Sequence, residues 1–474
     1  MKITNTGYSE HGASRRKTSL IKWNASSKSP HEDISENLEL LRERSRDLYA
    51  GGGPLGRGAI DRIVLNALGP GLRLNVRIDP EALGMDERQA AIWSAKTEAE
   101  YDYWASSKKA HSGGEMSFYD LQVLALKSIL LDGDVIALLE HKPHLSIRLI
   151  ESERLQSPPN RGGLIVDEGV ELDDWGDVQA YHITNRNPNA ELTGQPPVKW
   201  VRLPADENVL HLFLRERIGQ HRGVPFLAPV ILQLKQLSRY TEAELMAAVV
   251  AGMYSVFFEH PVKEDGMMGS DDYASEEGYG ETSGLEGIST EMMYGSVIDL
   301  PDGVKATSLS PGRPNQNFSM FIESLAHQIG GTLGIPEELL FLHFTASYSA
   351  SRGALLEAWK LFKFWRKWFA ENFCQPVYEA WLEEAVRSGR IEAPLWDKDA
   401  YTRSLYSWCE WVGPSQGQLN PVQEVQASVM KIENNLSTYQ RETGELTGED
   451  WDLVMSALTR ERSKLPPQGL DQPH

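Results

Sequence analysis

The chain has 474 residues, 41% hydrophobic and 24% charged, a composition typical of a soluble protein with roughly two to four domains. Its formal net charge of −20 argues against a protein that grips nucleic acid by broad charge neutralisation, because such binders are basic. Two cysteines, Cys374 and Cys409, are too few for a disulfide framework and show no metal-ligand spacing. No apolar run reaches transmembrane length and the N-terminus lacks a signal-peptide core, so we expect a cytoplasmic site of synthesis.

The N-terminal half predicts a mixed α+β domain. Residues 1–30 are polar and rich in serine and lysine, which favours a disordered tail. A helix is predicted in HEDISENLELLRERSRDLYAGGG, where acids precede arginines and Gly51 to Gly53 offer a left-handed stop. The next two stretches each predict a helix, a glycine turn and a strand: AIDRIVLNALGPGLRLNVRID, and MSFYDLQVLALKSILLDGDVIALLEH with a helix from about Ser117. Further strands follow in LSIRLIESERL, GVELDDWGDVQAYHIT and VKWVRLPADENVLHLFL, with no regular βαβ repeat.

The pattern changes at Val224. A long helix is predicted over 224–258, with Pro225 and Pro229 in its opening turns. An acidic segment follows: between Glu264 and Asp299 there are ten acidic residues and no lysine or arginine. A second helix returns over 315–334, so we expect a helical hairpin that carries a small acidic tip.

The segment FTASYSASRGALLEAWK leaves three interpretations open. Ser347 or its neighbours could act as a nucleophile with His343 as base, but the elbow motif Gly-x-Ser-x-Gly is absent. Ser349 or Ser351 could cap the long helix predicted from Ser351. The segment could also be a loop that touches a long polymer. After this helix we expect a tryptophan-rich turn, SWCEWVGPSQGQLNP, two short helices as far as Lys464, and a disordered tail at 465–474.

No cofactor or metal site is predicted. The stretch GGGPLGRG lacks the Gly-Lys-Ser/Thr ending of a phosphate loop, and a helix stop followed by a connector is the simpler interpretation. His141 and His144 have no third ligand nearby in sequence. The acidic segment lacks the spacing of a calcium loop and is interpreted as a solvated surface for a partner.

Three blocks resemble the portal proteins of lambda-like tailed bacteriophages. The first is RERIGQHRGVPFLAPVILQLKQLSRYTEAELMAA, similar to that family's Arg-x-x-Gln-x-Arg-Gly-Val-Pro stretch. The second, LGIPEELLFLHFTASYSASRGALLEAWK, resembles its Leu-Gly-Ile-Pro and Tyr-Ser-Ser-x-Arg segment, with Ala350 inserted between the two serines. The third is SWCEWVGPSQGQLNPVQEVQA, in which Asn420 and Gln423 replace an acid and a lysine. With weaker blocks, the resemblance spans about residues 40 to 460 in order.

This resemblance implies a structural protein without enzymatic activity that forms a ring, usually a dodecamer, at one vertex of the capsid. Double-stranded DNA would pass through the ring during packaging and ejection. Implied partners are the terminase large subunit, the major capsid and scaffold proteins, and a head-completion or adaptor protein, with no membrane. The protein would reside in the virion, and in the host cytoplasm during assembly. The implied division is wing 31–223, stem helices 224–258 and 315–334, clip 259–314, tunnel loop 335–350, long helix 351–394 and crown 395–464.

The resemblance also implies two functional surfaces. The tunnel loop would bear on the DNA backbone without reading sequence, through Thr345, Ser347, Tyr348, Ser349 and Arg352. The clip would dock the terminase or adaptor through Glu264, Asp265, Asp271, Asp272, Glu276 and Glu277. Arg352 could instead pair with an acid of the next subunit. Two alternatives remain: another ring-forming connector or tail-assembly protein, and a hydrolase or nuclease that uses the His343 region or the acidic cluster.

Overall fold

The computed structural model describes residue 14 and residues 17–23, 28–51, 53–141, 143–188, 197–253, 257–259, 305–307, 317–343, 347–417, 421–448 and 451–464. The chain divides into two compact units: unit 1 is Met1–Ile231 with Gly330–His474, and unit 2 is Leu232–Ile329. Thr345, the six acids assigned to the clip and the predicted tail at 465–474 lie outside the described residues. None of the described helices is long and apolar enough to cross a membrane.

The helices and strands alternate irregularly along the chain. The helices are α1 Thr18–Ile21, α2 Pro30–Asp33, α3 Leu38–Ala50, α4 Pro54–Ala67, α5 Pro80–Leu83, α6 Glu87–Ala105, α7 Phe118–Asp132, α8 Ile231–Met253, α9 Phe318–Leu333, α10 Glu337–Phe341, α11 Tyr348–Phe369, α12 Gln375–Arg387, α13 Ala400–Tyr406, α14 Pro421–Glu433, α15 Tyr439–Thr447 and α16 Trp451–Lys464. The strands are β1 Arg73–Val76, β2 Asp134–Glu140, β3 Ser146–Glu151, β4 Ile165–Asp167, β5 Val170–Leu172, β6 Val178–Thr184, β7 Trp200–Pro204, β8 Val209–Phe213, β9 Phe257–Glu259, β10 Lys305–Thr307 and β11 Cys409–Val412. The predicted α+β class is confirmed.

Unit 1 contains three antiparallel sheets, ordered β3-β2-β8, β4-β5-β6-β7 and β1-β11. Side chains of the first two sheets share a buried core that includes Ile136, Ile150 and Ile183. A second core is aromatic: the Tyr101 ring of α6 lies 5.1 Å from that of Trp381 on α12 and 6.1 Å from that of Trp411 on β11. The aromatic core thus joins α6 to elements that follow much later in the chain.

The first helices correct two predictions. Helix α1 lies inside the segment predicted to be a disordered tail, so that prediction is wrong for Thr18–Ile21. Gly51 ends α3 with a φ of −173°, an extended conformation, so it does not form the predicted left-handed stop. The predicted connector after it is already helix, because Pro54 occupies the first turn of α4, where a missing N–H has no cost.

Unit 2 holds most of the predicted hairpin. Helix α8 begins at Ile231, after a 3-10 turn at Ala228–Val230, rather than at 224 as predicted. The Tyr240 ring of α8 lies 5.7 Å from the Phe318 ring and 4.6 Å from the Phe321 ring of α9. Strands β9 and β10 pair antiparallel between these helices in sequence. The predicted helix at 224–258 therefore ends at Met253, and a strand follows it.

The long C-terminal helix differs in detail from its prediction. It begins at Tyr348, widens into a π-helical turn at Ala370–Cys374 and continues as α12 to Arg387, not to 394. The π turn precedes Pro376, whose missing N–H removes one normal helical bond. The predicted turn at SWCEWVGP contains strand β11, and three helices, α14 to α16, replace the two predicted up to Lys464.

Candidate functional site

The described part of the predicted DNA-facing loop is mostly helical. Helix α10 occupies Glu337–Phe341 and ends at Leu342, which takes the left-handed conformation with a φ of 53°. His343 is exposed, and the chain is described again from Ser347. The segment 335–350 therefore contains α10 and the first residues of α11.

Ser347 stands where α11 begins. Its backbone is extended, with φ −58° and ψ 153°, and its carbonyl oxygen accepts the first helical bond from the Ser351 N–H at 3.0 Å. Its hydroxyl makes no capping bond. The predicted cap at Ser349 or Ser351 is wrong, because the backbone turns helical two to four residues earlier. Tyr348 and Ser349 belong to the first turn, whose N–H groups carry partial positive charge and favour anions.

Arg352 forms an ion pair with an acid of its own chain. Its Nη1 lies 2.7 Å from Oε1 of Glu424 on α14 of the same chain. The arginine side chain is 39% exposed and the glutamate 14% exposed, so the pair is half-buried. Further along α11, Lys363 lies 3.6 Å from Glu445 of α15. Two ion pairs thus tie α11 to the C-terminal helices.

His343 donates its backbone N–H to the carbonyl oxygen of Glu338 at 3.2 Å. A base of the Ser-His-Asp type would also need a carboxylate on its imidazole, and no such hydrogen bond is present among the described residues. The described part of the chain also holds no group of three or more His, Cys, Asp or Glu side chains placed to bind a metal ion.

A buried charge network underlies the Arg-x-x-Gln-x-Arg-Gly-Val-Pro block. Arg222 is 1% exposed, and its Nε donates to Oδ2 of Asp134, itself 1% exposed, at 2.7 Å. The other guanidinium nitrogens donate to the carbonyl oxygens of Leu155 and Ser152, both at 2.9 Å. One arginine thus joins the start of β2 to the segment after β3.

The Asp134 carboxylate has several further hydrogen-bond partners. Arg42 of α3 donates to its Oδ1 at 3.0 Å, the Gly223 N–H donates to Oδ2 at 3.1 Å, and Nε2 of His211 lies 3.3 Å from Oδ2. Burial alone would raise the pKa of this carboxyl, but Arg222 and Arg42 outweigh it and hold the pKa well below its usual range. Burial lowers the pKa of Arg42 to about 10 and also lowers the pKa of His211. The folded state therefore contains Asp134 ionised and His211 neutral at pH 7.

Two glycines allow the backbone segments around Asp134 and Arg222 to approach each other. The Gly133 and Gly223 backbones approach so closely that a Cβ on either residue would overlap the other's carbonyl oxygen. Gly133 also has a φ of 95°, which side chains rarely allow. Within the same block, Gln220 donates to the Arg222 carbonyl oxygen at 2.7 Å, and Arg217 donates to Asp33 before α3 at 2.7 Å.

Arg366 plays a comparable part for the tryptophan-rich block. Its side chain extends from α11 and donates to the carbonyl oxygens of Ala67 at 2.8 Å, Asn66 at 3.1 Å and Pro414 at 2.7 Å. The guanidinium therefore caps the C-terminal end of α4 and fixes the chain after β11. Burial lowers the pKa of Arg366 to about 10.

Sequence reasoning missed Arg222, Asp134, Arg42 and Arg366 as organising residues. One local signal was available: a charged residue directly after the Asp-Gly turn, at the start of an apolar strand, must find a buried partner. The identity of that partner, 88 residues away, had no local signal.

Comparisons with known proteins agree with the sequence blocks. Residues 16–366 match the family model described as phage portal protein, lambda family. The chain is 25% identical to "Portal protein B" of Escherichia phage lambda, over 96% of this chain and 89% of the relative. It is 24% identical to "Portal protein" of Escherichia phage N15, over 95% of this chain and 89% of the relative.

Solved structures give a remote similarity. A chain of "Neck of native GTA particle computed with C12 symmetry" aligns with a TM-score of 0.42 at 12% identity, covering 84% of this chain and 92% of that chain. A chain of "Virion of native gene transfer agent (GTA) particle" aligns with a TM-score of 0.43 at 12% identity, covering 85% and 92%. The family assignment rests on the sequence match instead: since that match covers residues 16–366 of 474, the chain belongs to the lambda family of phage portal proteins.

Proposed function

We propose that this portal protein assembles into a ring at one capsid vertex, and that double-stranded DNA passes through its channel during packaging and ejection. The observation that carries the proposal is the family match over residues 16–366, which makes the chain a structural protein of a phage particle. The protein has no catalytic role in this proposal, and a separate terminase drives the DNA. The acidic tip of unit 2 docks that terminase large subunit and, later, the head-completion or adaptor protein.

The charge of the chain supports a sliding channel. Each phosphate that a cation neutralises releases counterions and adds affinity, so a basic wall would hold DNA in place. A chain with a net charge of −20 builds a wall that repels the backbone instead. Weak polar contacts then suffice to guide the duplex.

The loop between α10 and α11 supplies those contacts in this proposal. Ser347 is exposed at the N-terminal end of a 22-residue helix, where N–H groups and the helix dipole attract phosphate weakly. Thr345, Tyr348 and Ser349 act with it. Arg352 contributes less than an isolated arginine would, because Glu424 neutralises much of its charge.

The ring is tested by native mass measurement and negative-stain microscopy of the purified full chain. We expect a closed ring with a central hole that admits duplex DNA. A stable monomer under all assembly conditions would refute the proposal.

The loop is tested by Ser347→Asp, with Ser404→Asp on α13 as a matched control because Ser404 is also exposed. We expect both variants to form rings, and only the loop variant to package shorter DNA or to lose DNA after packaging. Normal packaging and retention in Ser347→Asp would refute the assignment of the loop.

A further inference from the structure

The described side chains of the C-terminal helices, α14 to α16, include no buried apolar residue. Among their described side chains, the buried ones are Ser428 and Glu442, and both are polar. By contrast, α11 buries Trp359 and Phe362. Short helices obtain most of their stability from packing an apolar face, so α14 to α16 need an additional surface.

Helix α14 presents an apolar stripe to solvent. Val422, Val425 and Val429 follow the spacing i, i+3, i+7 and are 67%, 46% and 45% exposed. Glu433 continues the same stripe one turn later. The stripe contains no cation, so it does not suit a phosphate backbone. Its three valines suit the ridge of another helix.

Helix α16 presents a second stripe of matching chemistry. Met455 and Leu458 are 36% and 37% exposed, and Arg462 lies on the same face one turn later. Each stripe thus runs from apolar residues to a charge at its C-terminal end. The charges are opposite, Glu433 on α14 and Arg462 on α16. When the two helices pack in parallel, apolar residues therefore face apolar residues, and the carboxylate faces the guanidinium.

We propose that α14 of one subunit packs in parallel against α16 of the next subunit. The inference rests on the proposed ring and names the contact that closes it among the C-terminal helices. A contact between two different patches of one chain repeats around a closed ring and leaves neither patch open. The occupant of each stripe is therefore a second copy of this chain.

Cross-linking of the full chain tests the contact. Rings of the double variant Glu433→Cys/Arg462→Cys are treated with a short bifunctional maleimide and separated under denaturing conditions. We expect a ladder of covalent oligomers, whereas each single variant and the wild type, which carries Cys374 and Cys409, stay monomeric. Intact rings that give only monomers would overturn the inference and leave the ring standing. Failure of the wild type to form any ring would overturn both.

Substitution within α14 tests the stripe. Val425→Glu places a charge on it, and Met430→Glu, 58% exposed on another face of the same helix, is the matched control. We expect at least a tenfold loss of assembled rings for Val425→Glu at equal protein concentration and none for the control. Equal behaviour of the two variants would overturn the proposal.

Charge exchange separates contacts between subunits from contacts within one. Glu433→Arg and Arg462→Glu should each weaken assembly alone. An equimolar mixture of the two should restore it, because alternating subunits then face each other with opposite charges at both contacts. A contact within one chain would not be restored by mixing, and that result would overturn the proposal.

Discussion

Asp134 should be among the most sensitive positions of unit 1. Asp134→Asn keeps the shape of the side chain but removes the negative charge that faces Arg222 and Arg42. Both arginines are nearly fully buried, with side chains 1% and 8% exposed, so water does not replace the lost partner. Leaving buried charge unpaired typically costs about 3–5 kcal/mol. We expect a loss of that size in the free energy of unfolding.

The matched control is Glu140→Gln at the other end of β2. Glu140 pairs with Arg148 at 2.6 Å, but the two side chains are 37% and 47% exposed. Such surface pairs contribute about 0–1 kcal/mol. Thermal unfolding at pH 7, followed by circular dichroism, compares the two variants. In domains of 150–250 residues each 1 kcal/mol moves Tm by about 2–4 °C, and by less in a larger unit such as unit 1, so Asp134→Asn should melt measurably below the control. Equal melting temperatures would refute the idea that the network stabilises unit 1.

Three further predictions concern other positions. Gly223→Ala should abolish soluble folded protein, whereas Gly51→Ala, which has open space around its Cβ, should express normally; expression and gel filtration compare them. Burial lowers the pKa of His211 in the folded state below the unfolded value of about 6.5. As the pH drops through about 6.5 the unfolded state therefore binds more protons than the folded state, and the free energy of unfolding decreases. The Tm of His211→Asn should therefore decrease less than that of the wild type when the pH is lowered from 7.5 to 5.5, and an equal decrease would contradict the reasoning. A double-mutant cycle on Arg352→Ala and Glu424→Ala should give a coupling of about 0.5–1 kcal/mol in unfolding experiments, since the pair is half-buried, and zero coupling would contradict it.

Local signals predicted the parts of the fold that depend on neighbours in sequence. Ser117 begins α7 with a capping box that includes Asp120, and Gly133 ends the helix before β2. The alternating strands and the hairpin helices were also visible, because period and turn residues are local properties. The boundaries failed where the backbone had several equivalent choices. Three serines at alternate positions could each precede α11, and the N-cap position falls at Ser347, whose hydroxyl makes no capping bond.

Pairings across the chain could not be predicted in this way. Strand β11 pairs with β1, and Arg77 beside it contacts Glu410, 333 residues later in the sequence. The pattern of SWCEWVGP is compatible with a turn. It forms a strand because the backbone of β1 is available to pair with it. The ion pair between Arg352 and Glu424 likewise depends on where α14 folds back onto α11.

Two of the blocks that resemble portal proteins are connected by arginines to distant segments of this chain. Arg222 joins two sheets and the segment before α8, and Arg366 joins α4, α11 and the segment after β11. One arginine, Arg222, is buried and the other, Arg366, is half-buried; both make directional bonds, which fix geometry more strictly than apolar contacts do. If the proposed function holds, a portal that guides DNA by weak contacts needs directional bonds of this kind, because a loop that bears on a moving duplex can position it only if the body behind it is rigid. The residues that would touch DNA are then few and exposed, as Ser347 is at the start of α11.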